Sequence, residues 1–339
     1  MNTNTYYFNG SITPIEFLTV TIAKSHVVGV PKLNGIGYFP SSSINGALRH
    51  ALLDKVIEMR GGDDKLTLEE CYALGQGYIS NNEVLKAVNR QGTSIPVDKD
   101  QNIRDANPML SIFGRWGLEG KLGVGQAYCS DTSCVETFER GFRVDQFSRN
   151  PERIGNLAEG ASEQYERIKE TQKLLASGRE SLAKTKSQLI KKMMSLPDEE
   201  KASIRKQIRQ IEADIDLIKE IPTEAKESIQ RPIDSLEVIK PETKLNHRMC
   251  LKRASVAELG AALHALGQFS MLPKLGGYHR SNFGLVQCEW EVSVPTKTYG
   301  RKKIGLIKID DDGFTVEGDL LEEAMEAFSA GDWDFGKIV

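Results

Sequence analysis

A helical segment between residues 160 and about 221 divides this chain of 339 residues into two halves of mixed composition. Its first part repeats an apolar residue every seven positions, at Ile168, Leu175, Leu182 and Leu189. Its second part follows a 4-3-4-3 spacing, at Ile204, Ile208, Ile211, Ile215 and Ile218. Such spacing places the apolar side chains on one seam of a helix. The segment is therefore predicted to form two long helices folded back as an antiparallel hairpin.

The two flanking halves carry similar patterns of strands and helices. In the first half, residues 15–28 are rich in β-branched residues and predict a strand, and apolar residues from Ile44 to Val56 predict a helix. In the second half, residues 243–253 predict a strand, and residues 255–272 predict a helix that opens with a Ser-x-x-Glu capping box. A Gly-rich loop and a strand follow. This order predicts an α+β fold with a split βαβ arrangement, into which the hairpin is inserted.

The composition predicts a cytoplasmic protein that does not enter a membrane. No apolar run approaches the length of a membrane span, and the first residues, MNTNTYYFNGSITP, lack the basic and apolar regions of a secretory signal. The 5 cysteines are odd in number and scattered, which indicates free thiols in a reducing compartment. Cys129 and Cys134 have no companion pair at zinc spacing, so we predict no metal site and no cofactor.

The charge of the chain is unevenly distributed. The net charge is −3, but residues 240–303 carry 11 Lys and Arg against 4 Asp and Glu, whereas residues 304–339 carry 2 against 10. Such an asymmetry suits either two solvated faces or two complementary surfaces of an assembly.

The first candidate site is the stretch YFPSSSINGALRHAL, at the predicted start of a helix. A helix N-terminus leaves amides unpaired and carries a partial positive charge, which favours phosphate. The hydroxyls of Ser42 and Ser43 add donors, and Asn45 and Arg49 lie four residues apart on one helical face. The alternative is that Ser43 only caps the helix and that Arg49 is a solvated surface residue.

The second candidate site is the stretch KLGGYHRSN. Gly276 and Gly277 allow a ligand to approach the backbone closely, and three side chains with basic groups surround them: Lys274, His279 and Arg280. The alternative is a flexible turn before a strand. Neither site matches the G-x-x-x-x-G-K-[ST] pattern of a nucleoside triphosphatase, so we do not predict nucleotide hydrolysis.

The sequence offers few catalytic candidates. His26 follows the first predicted strand, beside a Gly-rich loop, where a general base could stand. A loop residue or an RNA contact is the commoner role of such a histidine. His264 lies within an apolar helix and is predicted to be structural. No catalytic triad can be assigned from the spacing.

These stretches resemble motifs of the CRISPR-associated RAMP proteins. FPSSSINGALRHAL is similar to their pgSS-x-KGxxR segment, LSIFG (Leu110–Gly114) to their short LFG turn, and LGGYHRSNFGLV (Leu275–Val286) to their GG-x-x-S-x-GFG loop. The layout most resembles the backbone subunit of the Cas-seven group. The helical insertion, between RVDQFSRNPERIG and IKPETK, makes it similar to the type IV subunit.

The resemblance implies a division into palm, thumb and tail. A modified RRM-like or ferredoxin-like palm would comprise residues 1–143 and 240–310, with insertions at about 60–108. A thumb containing the helical hairpin would comprise residues 144–239, and an acidic C-terminal segment residues 311–339. Such subunits polymerise head to tail along CRISPR RNA, together with other effector-complex subunits, and the guide pairs with target nucleic acid.

The resemblance also implies a set of RNA-binding residues. They are Ser42, Ser43, Asn45, Arg49, Lys274, Gly276, Gly277, His279 and Arg280, with Arg248 and Arg253 expected on the same basic side. Phe142 or Phe147, at the base of the thumb, would stack at a displaced nucleotide. The family's Lys of KGxxR is Asn45 here, which makes Arg49 the stronger candidate for that phosphate contact.

One departure from the family bears on catalysis. RAMP backbone subunits that cut RNA place an aspartate in the loop after the first strand, whereas residues 24–43 of this chain contain no Asp or Glu. Without a carboxylate that cleavage lacks its chemistry, so we predict a binding protein without catalytic residues. Two alternatives stay open: a metal-independent endoribonuclease with His26 as base, and a coiled-coil adaptor protein.

Overall fold

The chain is represented by a computed structural model, which describes most of its residues. The described ranges are 3–20, 29–79, 97–138, 142–143, 152–156, 158–194, 198–220, 231–232 and 236–339. The predicted sites His26 and Phe147 lie outside these ranges.

The described residues contain thirteen strands. In the first half they are β1 (Asn4–Pro14), β2 (Lys32–Leu33), β3 (Ile36–Phe39), β4 (Leu122–Val124), β5 (Ala127–Tyr128), β6 (Val135–Phe138) and β7 (Phe142–Arg143). In the second half they are β8 (Arg231–Pro232), β9 (Leu236–Ile239), β10 (Leu245–Ala254), β11 (Val286–Pro295), β12 (Arg301–Asp310) and β13 (Gly313–Glu317).

Nine α-helices accompany these strands in the described ranges. The first four are α1 (Ser41–Arg60), α2 (Leu68–Gln76), α3 (Val97–Ala106) and α4 (Pro108–Phe113). The others are α5 (Glu152–Gly155), α6 (Ala161–Met194), α7 (Asp198–Glu220), α8 (Val256–Ser270) and α9 (Asp319–Ser329).

Nine of the strands form one antiparallel sheet. Its order is β13-β12-β11-β1-β10-β5-β3-β2, and β4 also pairs with β10. One face of the central strands is buried, because Tyr6, Phe8 and Ile12 of β1 lie opposite Leu251, Met249 and Leu245 of β10, all of them buried. Helices α1 and α8 pack on each other and belong to the same core. The predicted α+β class is confirmed.

The predicted strand at residues 15–28 is wrong over its described part. The first strand is β1, and residues 15–20 pair only through an isolated bridge between Leu18 and Ile239. β1 contains Gly10 and ends at Pro14, which in the sequence are typical of a loop. Gly10 is needed because a Cβ there would lie 1.8 Å from the Glu289 carbonyl oxygen of the neighbouring strand.

Other predicted elements are confirmed. Helix α1 buries Ile44, Leu48, Leu52 and Val56, and it ends at Gly61, whose φ of 85° is left-handed. Helix α8 opens with the predicted capping box: the Ser255 hydroxyl accepts from the Glu258 amide, and the Glu258 carboxylate accepts from the Ser255 amide.

The acidic C-terminal segment is part of the main core. Phe328, Phe335 and Ile338 are buried, and the Asn107 side-chain amide donates to the Phe335 carbonyl at 3.2 Å. The acidic side chains of α9, such as Glu322, Glu323 and Glu326, are exposed. The segment therefore completes the fold with its apolar residues and leaves its charge on the surface.

The chain divides into two compact units, one of residues 1–138 with 236–339 and one of residues 139–235. Within the second unit α6 and α7 pack against each other, with Lys186 and Glu212 paired at 2.8 Å and Ile204 buried. All 5 cysteines are free thiols. None of the described helices combines the length and apolarity needed to cross a membrane.

Candidate nucleic-acid interface

Helix α1 begins without a side-chain cap. Pro40 is its N-cap residue, with an extended backbone, and it offers no side-chain acceptor. The Ser43 amide donates to the Pro40 carbonyl at 3.1 Å. The amides of Ser41 and Ser42 precede any intrahelical acceptor, and within the described residues they have no recorded partner. The predicted alternative, in which Ser43 caps the helix, is wrong, because Ser43 is the third residue of the first turn.

Residues 274–280 (the glycine turn) fold closely onto the chain after β1. Gly276 has a φ of 83°, and a Cβ there would lie 2.1 Å from the Thr19 carbonyl oxygen. The Gly277 amide donates to that same carbonyl at 3.2 Å. Glycine is therefore required at 276 both for its conformation and for its close approach. The Gly277 amide already has a partner and is not a free donor.

The start of α1 and the glycine turn line one cleft of about 560 Å³. From α1 the cleft is lined by Ser43, Gly46, Ala47, His50 and Asp54. From the end of α8 and the residues after it, the cleft is lined by Gln268, Phe269, Met271 and Leu272, and from the glycine turn by Lys274, Gly276, Gly277 and His279. Two segments far apart in sequence thus meet at a single surface.

The polar side chains of this cleft carry hydroxyl, imidazole and ammonium groups, together with the carboxamide of Gln268 and the carboxylate of Asp54. His50 and His279 are exposed, and Lys274 lies 3.6 Å from the Glu16 carboxylate, so part of its charge is neutralised. The rim is apolar, because Met271 is 79% exposed and Leu272 is 66% exposed. The cleft offers donors to an anion and an apolar surface to a sugar or a base.

Arg49 does not contribute to the cleft. Its guanidinium is buried and donates to the carbonyls of Leu74, Ala73 and Gly114, the last two at 2.7 and 2.8 Å. Burial lowers the pKa of Arg49 to about 10. The prediction of a phosphate contact at Arg49 is wrong, because all of these donors face the C-terminal end of α2 and the turn after α4.

Helical periodicity explains this error. Ser43 and Arg49 are six residues apart, which is about 240° around a helix, so they point in different directions. The face of Ser43 continues instead through Ala47, His50 and Asp54, which line the cleft. The spacing i, i+4, i+7, i+11 was the signal in the sequence that could have identified His50.

Other predicted residues are not brought to the cleft. Arg253 lies just before the N-terminus of α8, whereas the cleft lies at the other end of this helix of 15 residues, about 22 Å away at 1.5 Å per residue. Arg248 is exposed on β10, and neither it nor Asn45 lines the cleft. Neither Arg248 nor Arg253 therefore contributes to the cleft, and their contact with RNA stays a prediction.

Ser42 is exposed, next to Ser43. Arg280 lies in a short 3₁₀ turn (His279–Ser281), and Phe142 lies in β7, which pairs with β8. The side chains of Arg280 and Phe142 lie outside the described part of the structure.

Comparison with known proteins gives one family and one solved structure of note. A family model described as RAMP superfamily matches residues 25–287. A solved structure described as "Type IV-B CRISPR Complex" resembles the chain with a TM-score of 0.40 and 12% sequence identity, over 88% of this chain and 92% of the other. No curated protein sequence matches.

Proposed function

Because the chain belongs to the RAMP superfamily, we propose that it is a non-catalytic backbone subunit of a type IV-like CRISPR ribonucleoprotein. In this role it polymerises along the CRISPR RNA and holds the sugar–phosphate backbone. The observation that carries the proposal is the shared cleft, in which Ser43, in the first turn of α1, and the glycine turn line the same space.

The cleft fits a phosphate backbone better than a small metabolite. Free amides at a helix start favour negative charge, and the Ser42 and Ser43 hydroxyls add donors beside them. Lys274 and His279 line the opposite wall. The exposed Met271 and Leu272 provide an apolar rim against which a ribose or a base can pack. These contacts read no base edge, so the binding has little sequence preference and falls as salt rises.

In this proposal the chain has a palm and a thumb, whose boundaries lie near those of the two units. The palm comprises residues 1–143 and 240–310, and the thumb, with α6 and α7, comprises residues 144–239. Assembly head to tail requires two complementary faces on one subunit. The exposed acidic side chains of α9 and the basic residues of β10 supply charges of opposite sign for such a contact.

A negative charge placed in the cleft tests the RNA site. Ser43→Glu is expected to weaken the binding of single-stranded RNA about tenfold at moderate salt, because a carboxylate then faces the phosphate, at a cost of about 1.4 kcal/mol. Binding is measured by fluorescence anisotropy on protein freed of co-purified nucleic acid. Gln76→Glu adds the same charge at an exposed position outside the cleft and is expected to bind like the wild type. Equal affinity of all three proteins contradicts the assignment.

Two further measurements separate this proposal from its alternatives. The wild-type protein is expected to purify with RNase-sensitive nucleic acid, in particles far larger than 37.7 kDa. Incubation with labelled repeat RNA in EDTA is expected to yield no discrete product. A product that disappears in His26→Ala favours the endoribonuclease. Intact RNA binding and assembly after deletion of residues 160–221 favour an adaptor role for the hairpin.

A further inference from the structure

The turn between β11 and β12 presents a bare aromatic ring on an ordered hairpin. The Thr296 amide donates to the Gly300 carbonyl at 2.8 Å, and the Tyr299 amide donates to the Thr296 carbonyl at 3.1 Å. The hydroxyl oxygens of Thr296 and Thr298 lie 3.1 Å apart. These bonds hold the backbone of the turn, whereas Tyr299 is 101% exposed and therefore entirely in solvent.

Tyr299 gains nothing from its own fold. Its φ of 62° is left-handed, which costs a residue other than glycine about 1–2 kcal/mol. An aromatic ring in solvent also forgoes the burial that makes such side chains stabilising. A strained residue whose ring contacts nothing points to a contact with another molecule.

The residues around Tyr299 are basic. Between Val292 and Ile304 there are four cations and no Asp or Glu: Lys297, Arg301, Lys302 and Lys303. Lys303 pairs with Glu291 at 3.2 Å, and both side chains are about half exposed. The structure describes every carboxylate of residues 236–339, and none of them pairs with Lys297 or Lys302. The tip therefore carries positive charge that the carboxylates of residues 236–339 leave largely unbalanced.

The positive charge continues from the hairpin onto the sheet. The Arg301 guanidinium lies 3.8 Å from the centre of the Tyr7 ring on β1. Tyr7 lies directly opposite Cys250 of β10, and Lys252 lies two residues further along β10, on the same face of the strand as Cys250. We call Tyr299, Lys297, Arg301 and Lys302, together with Tyr7 and Lys252, the basic hairpin surface.

The basic hairpin surface is far from the cleft. β11 starts beside the bridge between Lys274 and Leu285, at the cleft, and runs for 10 residues to Pro295, at the tip. At about 3.3 Å per residue the two ends of β11 are about 30 Å apart. A nucleotide held in the cleft cannot also contact Tyr299.

We propose that the basic hairpin surface binds a segment of single-stranded nucleic acid, with one base stacked on Tyr299 and neighbouring phosphates held by Lys297, Arg301 and Lys302. Aromatic platforms combined with cations bind single strands without sequence preference. The tip offers a protein partner little apolar surface, because its other side chains are Thr296, Thr298 and the cations. The inference does not depend on what the cleft binds.

Replacing the ring tests the stacking contact. In the full-length protein, freed of co-purified nucleic acid, Tyr299→Ala is expected to raise the Kd for fluorescein-labelled 20-nucleotide poly-U and oligo-dT about tenfold. Tyr299→Phe keeps the ring and is expected to stay within about twofold of the wild type. Tyr78→Ala removes another aromatic residue, 53% exposed and in the segment that follows α2, and is expected to change nothing.

Replacing the cations tests the phosphate contacts. The double variant Lys297→Glu, Lys302→Glu is expected to reduce the slope of log K against log salt by about 1.4, since each lost contact to a single strand removes about 0.7. Adding Tyr299→Ala to the cleft variant Ser43→Glu is expected to weaken binding further. A wrong assignment of the cleft can therefore be distinguished from a wrong assignment of the hairpin.

The source of the strand is found by repeating the titration with particles that retain their RNA. If Tyr299→Ala weakens the binding of oligo-dT to these particles, the hairpin binds a second strand in addition to the bound RNA. If Tyr299→Ala weakens binding only in the protein freed of RNA, the hairpin binds another part of the RNA that the particles retain. Both support the proposal. If Tyr299→Ala and the double Lys variant bind both probes like the wild type, the proposal is overturned. A loss of particle size in the same variants would then assign the tip to a contact between copies.

Discussion

Replacing Arg49 by Ala is expected to lower the free energy of unfolding of residues 1–138 with 236–339 by about 4 kcal/mol, because three buried carbonyls lose their charged donor. Two of these carbonyls, of Ala73 and Leu74, lie at the C-terminal end of α2, and the third, of Gly114, follows α4. The guanidinium thus joins three helical segments. A lysine at this position is not equivalent, because an ammonium cannot span the three acceptors, and Arg49→Lys is expected to lose about 2 kcal/mol.

The loss is measured by urea unfolding followed through tryptophan fluorescence. The chain has 3 tryptophans, Trp116, Trp290 and Trp333, and all lie in this unit, so the signal does not mix with the unfolding of residues 139–235. Arg60→Ala is the matched control on the same helix: Arg60 pairs with Glu70 at 3.0 Å and its side chain is partly exposed, so about 1 kcal/mol or less is expected. If Arg49→Ala unfolds at the wild-type midpoint but binds RNA weakly, Arg49 is a phosphate contact after all.

The stability of the same unit is expected to fall by about 3 kcal/mol between pH 6.5 and pH 4 through His247 alone. The Trp290 indole donates to His247 Nδ1 at 3.0 Å, so Nδ1 must accept, and Nε2 donates to the Gly125 carbonyl at 3.2 Å. Burial lowers the pKa of His247 to about 4, although the bond to Gly125 acts in the opposite direction. Since the unfolded chain takes up a proton near pH 6.5 and the folded chain does not, stability is complete above that pH and declines below it.

A variant that cannot titrate isolates this contribution from that of other groups. His247→Gln keeps an acceptor for the indole and a donor for Gly125. Between pH 5 and 6 the slope of its free energy of unfolding against pH is expected to be smaller than that of the wild type by about 1.4 kcal/mol per pH unit. His264, whose pKa burial also lowers, titrates in both proteins and cancels in the difference. Parallel curves for the wild type and the variant would show that His247 is not buried in its neutral form.

Much of the fold was predictable because it follows from local periodicity. The apolar face of α1 and the capping box of α8 are patterns of neighbouring residues, and both helices formed where the sequence indicated them. β1 was missed because its pairing partners are far away in sequence. Gly10 weakens a strand when it is judged locally, yet at this position it lets the strand approach Glu289 of β11.

The candidate site was predictable as two segments but not as a set of side chains. Ser43 and the glycine turn carry backbone features, a helix start and paired glycines, which the sequence reveals directly. Arg49 carries a charge that solvates well in isolation, and only the packing of α2 and α4 around it makes it an internal donor. The direction of a long side chain depends on acceptors that other segments bring to it.

The amino-acid order alone determined the α+β class, the two long helices between residues 160 and 221, the charge asymmetry, the helix start near Ser43 and the glycine turn, because each of these is a property of residues close together in the chain. The convergence of Ser43 and Gly277 on one cleft, the burial of Arg49, and the separation of Arg253 and Tyr299 from that cleft were decided only by the tertiary structure. Long-range strand pairing sets these distances, since it fixes which ends of β10, β11 and α8 lie side by side.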